Sequence, residues 1–327
     1  MPDVLITENI IGAEMDELRR RFDAVFEPEL WREPDKLLAL IPYFRALIAR
    51  NQTQVTREVI VAGARLEVIA RAGVGMDNVD LEAASRAGIV VTYTPEQNTN
   101  SVAELTIGLL LSLARMIPAA DNDTKRGGWR RRQFIGVEIL GKTLGIVGLG
   151  RIGGGVAMKA RALGMEIIAY DPYIDPESLR AMEARARLMS FEEVLAHSDF
   201  ISLHAPETEE TRGMFGAEQF GRIKPGAYFI NTARGRMVDE AALLRALREK
   251  RVAGAALDVR RQEPAAPSDF DEMENVILLP HIGAQTGEAQ RRVLAAVCRD
   301  VTAILTGAEA HNFANFSRPT RRTNRGG

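Results

Sequence analysis

Residues 142–172 read KTLGIVGLGRIGGGVAMKARALGMEIIAYDP, and this stretch decides the fold. An apolar run leads into Gly148-Leu149-Gly150-Arg151-Ile152-Gly153, a helical pattern follows, and a second apolar run ends in Tyr170-Asp171. A GxGxxG alone is a weak signal in a chain with 28 glycines. The strand before it, the helix after it and an acid 18 residues beyond Gly153 make it a dinucleotide-binding fingerprint. Gly148 permits the tight strand-to-helix turn, Gly150 lets backbone approach a pyrophosphate, and Gly153 lets the helix lie close on the sheet. The helix N-terminus offers N–H groups and a positive dipole end to phosphates. Asp171 suits the adenosine ribose hydroxyls and would repel a 2′-phosphate, so NAD is expected rather than NADP.

Working outward, short β-rich runs alternate with helical patterns, as parallel sheets with crossover helices require. From residue 143 the strand candidates are 143–148, 166–170, 200–204, 227–231, 253–258 and 276–279. Upstream they are 4–7, 25–27, 46–49, 68–71 and 89–93, with amphipathic stretches at 13–21 and 81–87 between them. The expected class is α/β, with two doubly wound parallel-sheet domains. TPEQNTN at 94–100 reads as a linker. Ser101 is expected to open a long apolar helix, with Glu104 completing a capping box and Pro118 interrupting it near Met116. So apolar a helix is expected to pack between domains or subunits. The basic run KRGGWRRRQF at 125–134 reads as a solvated loop or dimer arm. A last helix spans 287–305, and the polar tail 317–327 is expected to fray.

Bulk properties agree with this. A chain of 327 residues suggests two domains. Its 46% hydrophobic and 26% charged content is that of an ordinary globular protein. The formal charge of −2 argues against nucleic-acid binding. The single cysteine, Cys298, excludes an intramolecular disulfide and reads as a buried thiol in a helix. No signal peptide or membrane-spanning stretch is read, so the expected compartment is the cytoplasm. No metal site is expected.

Reducing a 2-oxo acid requires a grip on its carboxylate, polarisation of the C2 carbonyl and delivery of a proton. Candidates follow three late strands, at the edge where open α/β sheets bind ligands. Arg234, in Asn231-Thr232-Ala233-Arg234-Gly235, can hold a carboxylate bidentately. Glu263 lies in Asp258-Val259-Arg260-Arg261-Gln262-Glu263-Pro264, and His281 in Leu279-Pro280-His281-Ile282-Gly283. Taken singly, each has a blander reading as a surface or structural residue. A carboxylate beside His281 would favour the imidazolium and suit it to donating a proton.

NTARG, LDVRRQEP and LPHIGA, together with RAGVGMDNVDLEAASRAGIVV and GKTLGIVGLGRIG, resemble the signatures of the D-isomer-specific 2-hydroxyacid dehydrogenases. The resemblance runs along nearly the whole chain and is greatest to the catalytic part of the D-3-phosphoglycerate dehydrogenases. It implies a Rossmann-type cofactor domain, 99–285, inserted into a flavodoxin-like substrate domain, 1–98 with 286–327. It also implies hydride transfer between nicotinamide and C2 of a D-2-hydroxy acid. Arg234 would bind the substrate carboxylate and carbonyl, His281 would be the acid/base, and Glu263 its partner. Arg151, Ile152, Asp171, Thr232, Ala233, Asp258 and Gly283 would line NAD. The backbone at Val74 and Gly75 would hold the carboxylate, and Arg50 and Arg71, at strand ends, would meet a second anion on the substrate. A homodimer built through the cofactor domain is implied. Arg260 stands where the family commonly has an aromatic residue, which puts local packing or substrate preference in question. The chain ends before any C-terminal regulatory extension, so serine feedback is not expected. Sulfolactate, glycerate and D-lactate-type acids remain alternative substrates. An NAD-sensing co-repressor-like role is the alternative from another class. Formate dehydrogenases resemble the chain less, carrying Gln where Glu263 stands.

Overall fold

The computed structural model describes residues 1–175 and 177–320, so residues 321–327 of the polar tail lie outside the described residues. The chain forms two compact units. One combines Met1–Asn98 with the segment from Gln285 onward, and the other is Thr99–Ala284.

The first unit carries β1 (Val4–Ile6), β2 (Ala24–Phe26), β3 (Ala46–Ala49), β4 (Val68–Arg71) and β5 (Val90–Thr92). They form a parallel sheet in the order β2-β1-β3-β4-β5, the flavodoxin-like order. Successive side chains point to opposite faces, so each strand feeds two cores. Val4, Ile6, Ala46 and Ile48 pack with Met15, Leu18, Val293 and Val301 from the helices Ala13–Arg21 and Gly287–Leu305. Leu5, Leu47 and Ile69 pack with Leu37, Val59, Ile60 and Ala84 on the other face. This double burial explains why the strands read as unbroken apolar runs. Cys298 is a buried free thiol in this core, and burial pushes its pKa up to about 12.

The second unit carries β6 (Thr143–Val147), β7 (Glu166–Tyr170), β8 (Arg187–Leu188), β9 (Phe200–Leu203), β10 (Ala227–Asn231), β11 (Val252–Leu257) and β12 (Val276–Leu278). All pair in parallel, in the order β12-β11-β10-β9-β6-β7-β8. Counted from β6, this is the Rossmann order 3-2-1-4-5-6 with one strand added. The sequence reading found six of the seven strands. It missed β8, whose two residues, Arg187 and Leu188, are too few to show a period.

Two expectations about the long helix are corrected. It spans Thr99–Arg115, beginning two residues before Ser101, which lies buried inside it. Ser101 is therefore not the N-cap and opens no capping box, and Glu104 accepts from the Asn100 side chain at 2.6 Å. Its apolar residues Leu109, Leu110 and Leu113 pack into the second unit's own core with Ile146, Val156 and Ile230. The break comes at Met116, in the left-handed conformation, and Pro118 sits in the first turn of the next helix, Ile117–Lys125. Among the described residues no single helix is long and apolar enough to cross a membrane.

Candidate active site

The glycine-rich turn follows the geometric logic of its sequence. Gly148 has φ +93°, and a Cβ there would meet the backbone of His204 and Ala205. A Cβ on Gly153 would overlap the Gly148 carbonyl oxygen, so only glycine lets the helix Arg151–Ala162 start this close to β6. A Cβ on Gly150 would meet nothing within 4 Å, which leaves its backbone approachable from outside. Arg151 and Ile152 form the first helical positions. These features fit a bound pyrophosphate at a helix N-terminus.

Asp171 does more than sequence reasoning assigned to it. Its Oδ2 accepts from the Leu149 N–H at 2.8 Å and its Oδ1 from the Tyr173 N–H at 3.0 Å. The carboxylate at the end of β7 therefore ties down the glycine-rich turn after β6. Each oxygen keeps a lone pair to offer a hydroxyl.

At the other half of the same sheet edge, three loops converge. After β10, Asn231 Oδ1 accepts from the Ala233 N–H and its Nδ2 donates to the Arg234 carbonyl, both at 2.9 Å. Asn231 thus shapes the turn that presents Arg234, whose Nη1 donates to the Ala233 carbonyl at 2.7 Å. Thr232 is buried, with its hydroxyl 3.0 Å from that of Thr106. After β11, Asp258 is almost fully buried and accepts from the N–H groups of Ile282 and Gly283 at 2.8 and 2.9 Å. Burial raises its pKa, partly opposed by those two hydrogen bonds. Its carbonyl accepts from the His281 N–H at 2.8 Å. His281 itself has φ +57°, a left-handed conformation uncommon outside glycine, held here by Asp258 on both sides.

These loops bring Glu263 and His281 together, with Glu263 Oε2 at 2.7 Å from His281 Nδ1. Burial raises the Glu263 pKa, but the His281 contact, the Arg260 N–H and the Arg234 charge hold the carboxyl below its ordinary range. Arg234 therefore acts electrostatically on the same carboxylate. The pair presents an imidazole held through Nδ1 by a carboxylate, with the Arg234 charge acting on that carboxylate.

In the first unit, the register pairs Ala49 with Arg71, placing Arg50 and Arg71 at the carboxyl ends of neighbouring strands. Arg50 Nη2 donates to Gln290 Oε1 at 2.7 Å, and burial lowers the Arg50 pKa, opposed by Glu8. The Arg71 guanidinium folds over Gly73, just before the half-buried Val74 and Gly75.

Residues 107–283 match the family described as D-isomer specific 2-hydroxyacid dehydrogenase, NAD binding domain. The chain belongs to this family. NAD is the cofactor of its second unit. The chain is 42% identical over 314 residues to a D-3-phosphoglycerate dehydrogenase of Archaeoglobus fulgidus, covering 96% of this chain and 59% of that protein. It thus spans about three-fifths of the length of this relative. A glyoxylate reductase structure from Paecilomyes thermophila matches with TM-score 0.86 at 31% identity, covering 96% of this chain and 99% of that one. A D-lactate dehydrogenase from Aquifex aeolicus, complexed with NAD and lactic acid, matches with TM-score 0.85 at 28% identity, covering 95% and 99%.

Within this family framework the structure adds residues that the sequence reading passed over. Glu8 is buried two residues past the end of β1 and accepts from the N–H groups of Arg50, Gln52 and Thr53. Asn78 donates to the carbonyls of Arg50 and Thr53. Together they fix the backbone that carries Arg50. An acid following a buried strand was the available signal for Glu8. Nothing in the spacing marks Asn78, whose partners lie 28 and 25 residues away.

Proposed function

We propose that the chain is an NAD-dependent dehydrogenase acting at C2 of a D-2-hydroxy acid, most closely phosphoglycerate dehydrogenase-like in its substrate. The observation that carries this reading is the Glu263–His281 contact, beside Arg234 and on the same sheet edge as the glycine-rich turn. Bound in the second unit, NAD would supply or accept the hydride. In reduction His281 gives a proton to the C2 oxygen, and in oxidation it takes that proton back. Glu263 stabilises the charged imidazolium. Arg234 holds the substrate carboxylate and polarises the carbonyl. Thr232, Ala233, Asp258 and Gly283 shape the nicotinamide end of the cofactor site, and Arg151, Ile152 and Asp171 the pyrophosphate and ribose end.

The first unit, 1–98 with 286–327, is the substrate domain in this reading. The backbone at Val74 and Gly75 binds carboxylate, while Arg50 and Arg71 favour a substrate with a second anion at C3. Support comes from two guanidiniums at adjacent strand ends and from the similarity to D-3-phosphoglycerate dehydrogenase. The protein acts in the cytoplasm as a homodimer, without nucleic-acid or membrane partners. The exposed apolar side chains of Trp129, Ile135 and Leu140 support a dimer contact through the second unit. A panel of 3-phosphoglycerate, sulfolactate, glycerate and D-lactate, with their 2-oxo forms, run in both directions, tests the reading. A kcat/KM highest for an acid with a distal anion supports it, and one highest for D-lactate overturns the substrate assignment.

A further inference from the structure

We propose that Arg260 and Glu240 form a positioning pair that orients the Glu263 carboxylate toward His281. The inference rests on the reading of Glu263 and His281 as the acid/base dyad. Arg260 occupies the position where the family commonly carries an aromatic residue, and it lies inside the protein. Its side chain is 9% exposed and that of Glu240 26%. The two meet as a fork, Nε to Oε1 and Nη2 to Oε2, each at 3.0 Å. The guanidinium also lies over the Phe270 ring, 5.1 Å from its centroid, and reaches Ser268 Oγ at 3.3 Å. A planar fork between two parallel hydrogen bonds and a ring face has one orientation available, which an aromatic side chain at 260 would not impose.

The pair reaches the dyad through backbone. Glu240 Oε1 also accepts from the Arg261 N–H at 2.8 Å. The Arg260 N–H donates to Glu263 Oε1 at 3.1 Å, leaving Oε2 for His281. Glu240 is itself fixed in the first turn of the helix Glu240–Arg248, capped by Asp239. A Cβ on Gly235 would overlap the Arg260 carbonyl, so the loop presenting Arg234 rests on the same segment. The charged groups that act on Glu263 and Asp258 here include His281 and Arg234, and Glu263 raises the Asp258 pKa in turn. The fork connects this cluster to a helix through paired charges. Removing it leaves Glu263 free to rotate away from His281.

The test compares Glu240→Ala, the milder Glu240→Gln and Arg260→Met with Glu263→Gln and His281→Ala. The readouts are the pH profile of kcat/KM for NADH-driven reduction, kcat and KM separately, and NADH affinity by fluorescence titration. Glu240→Ala and Arg260→Met should lower kcat by about tenfold to a hundredfold, the range expected for displaced catalytic groups. They should leave NADH affinity unchanged and move the high-pH limb of the profile to lower pH, as Glu263→Gln does. Glu240→Gln should move it less. Added to Glu263→Gln, Glu240→Ala should move the limb no further. If Glu263→Gln moves the limb while Glu240→Ala and Arg260→Met lower only thermal stability, the positioning role is overturned and the dyad stands. If neither Glu263→Gln nor His281→Ala changes the profile, the dyad reading itself fails and the inference falls with it.

Discussion

Glu263 Oε2 and His281 Nδ1 lie 2.7 Å apart although 18 residues separate them in the chain. Three loops after three successive strands make this contact: the one bearing Glu263, the one bearing His281, and the Arg234 turn that leans on the first. The Nδ1 contact with a carboxylate leaves Nε2 as the nitrogen able to face a substrate.

The dyad gives the first prediction. His281→Ala should cut turnover by roughly 10²–10⁴-fold, the usual contribution of a positioned acid/base. Glu263→Gln removes the anion that favours the imidazolium, and reduction needs that form. Reduction should therefore be lost at lower pH than in the wild type. A pH–rate profile identical in the two proteins would show that the residues are uncoupled.

The glycine-rich turn gives a second prediction, with a different readout at each of two positions. Gly153→Ala forces a Cβ against the Gly148 carbonyl oxygen and should destabilise the second unit by about 1–3 kcal/mol. Gly150→Ala meets nothing in the protein, so it should leave the thermal midpoint in place while weakening NADH binding. Thermal melts and NADH titrations of both variants separate the cases. Equal loss of stability in the two would mean that Gly150 serves the fold rather than the cofactor.

Much of this was legible in the sequence because each signal was local. Strands β3, β4, β7 and β10 fall where their apolar runs placed them, and the helix Gly287–Leu305 keeps both expected ends. The start of the helix Thr99–Arg115 was misplaced because Ser101 and Glu104 mimic a capping box, while Asn100 takes the carboxylate instead. Arg260 was legible only as a departure from a pattern. Its partner Glu240 is 20 residues away in sequence, and no periodicity connects a loop to the first turn of a preceding helix. Likewise the sequence marks Asp171 as a candidate for the ribose, but its bond to the Leu149 N–H depends on how β6 and β7 align.

The distal-anion reading gives a third prediction. A charge-assisted hydrogen bond contributes about 1.5–3 kcal/mol. Arg71→Ala should therefore raise KM for 3-phosphoglycerate or sulfolactate by roughly tenfold or more, at 1.4 kcal/mol per decade. KM for D-lactate should barely move. Equal effects on both substrates would remove Arg71 from recognition of the second anion.

A fourth prediction concerns His204, which follows β9 beside the glycine-rich turn and contacts Ser202 Oγ at 2.8 Å. Burial pushes its pKa from 6.5 down to about 3. In the unfolded chain it charges below 6.5 while the folded protein keeps it neutral, so the unfolded state binds the extra proton. The stability it contributes is present above pH 6.5 and is lost as pH falls toward 3. His204→Gln should flatten the fall of the thermal midpoint over that window. An unchanged slope would mean that His204 is not held neutral.

The central claim is tested most directly by supplying NADH and a 2-oxo acid carrying a distal anion, then determining the amount and configuration of the product. The account predicts one D-2-hydroxy acid formed per NADH consumed. NADH that binds without being oxidised by any 2-oxo acid, or a product of L configuration, would contradict it.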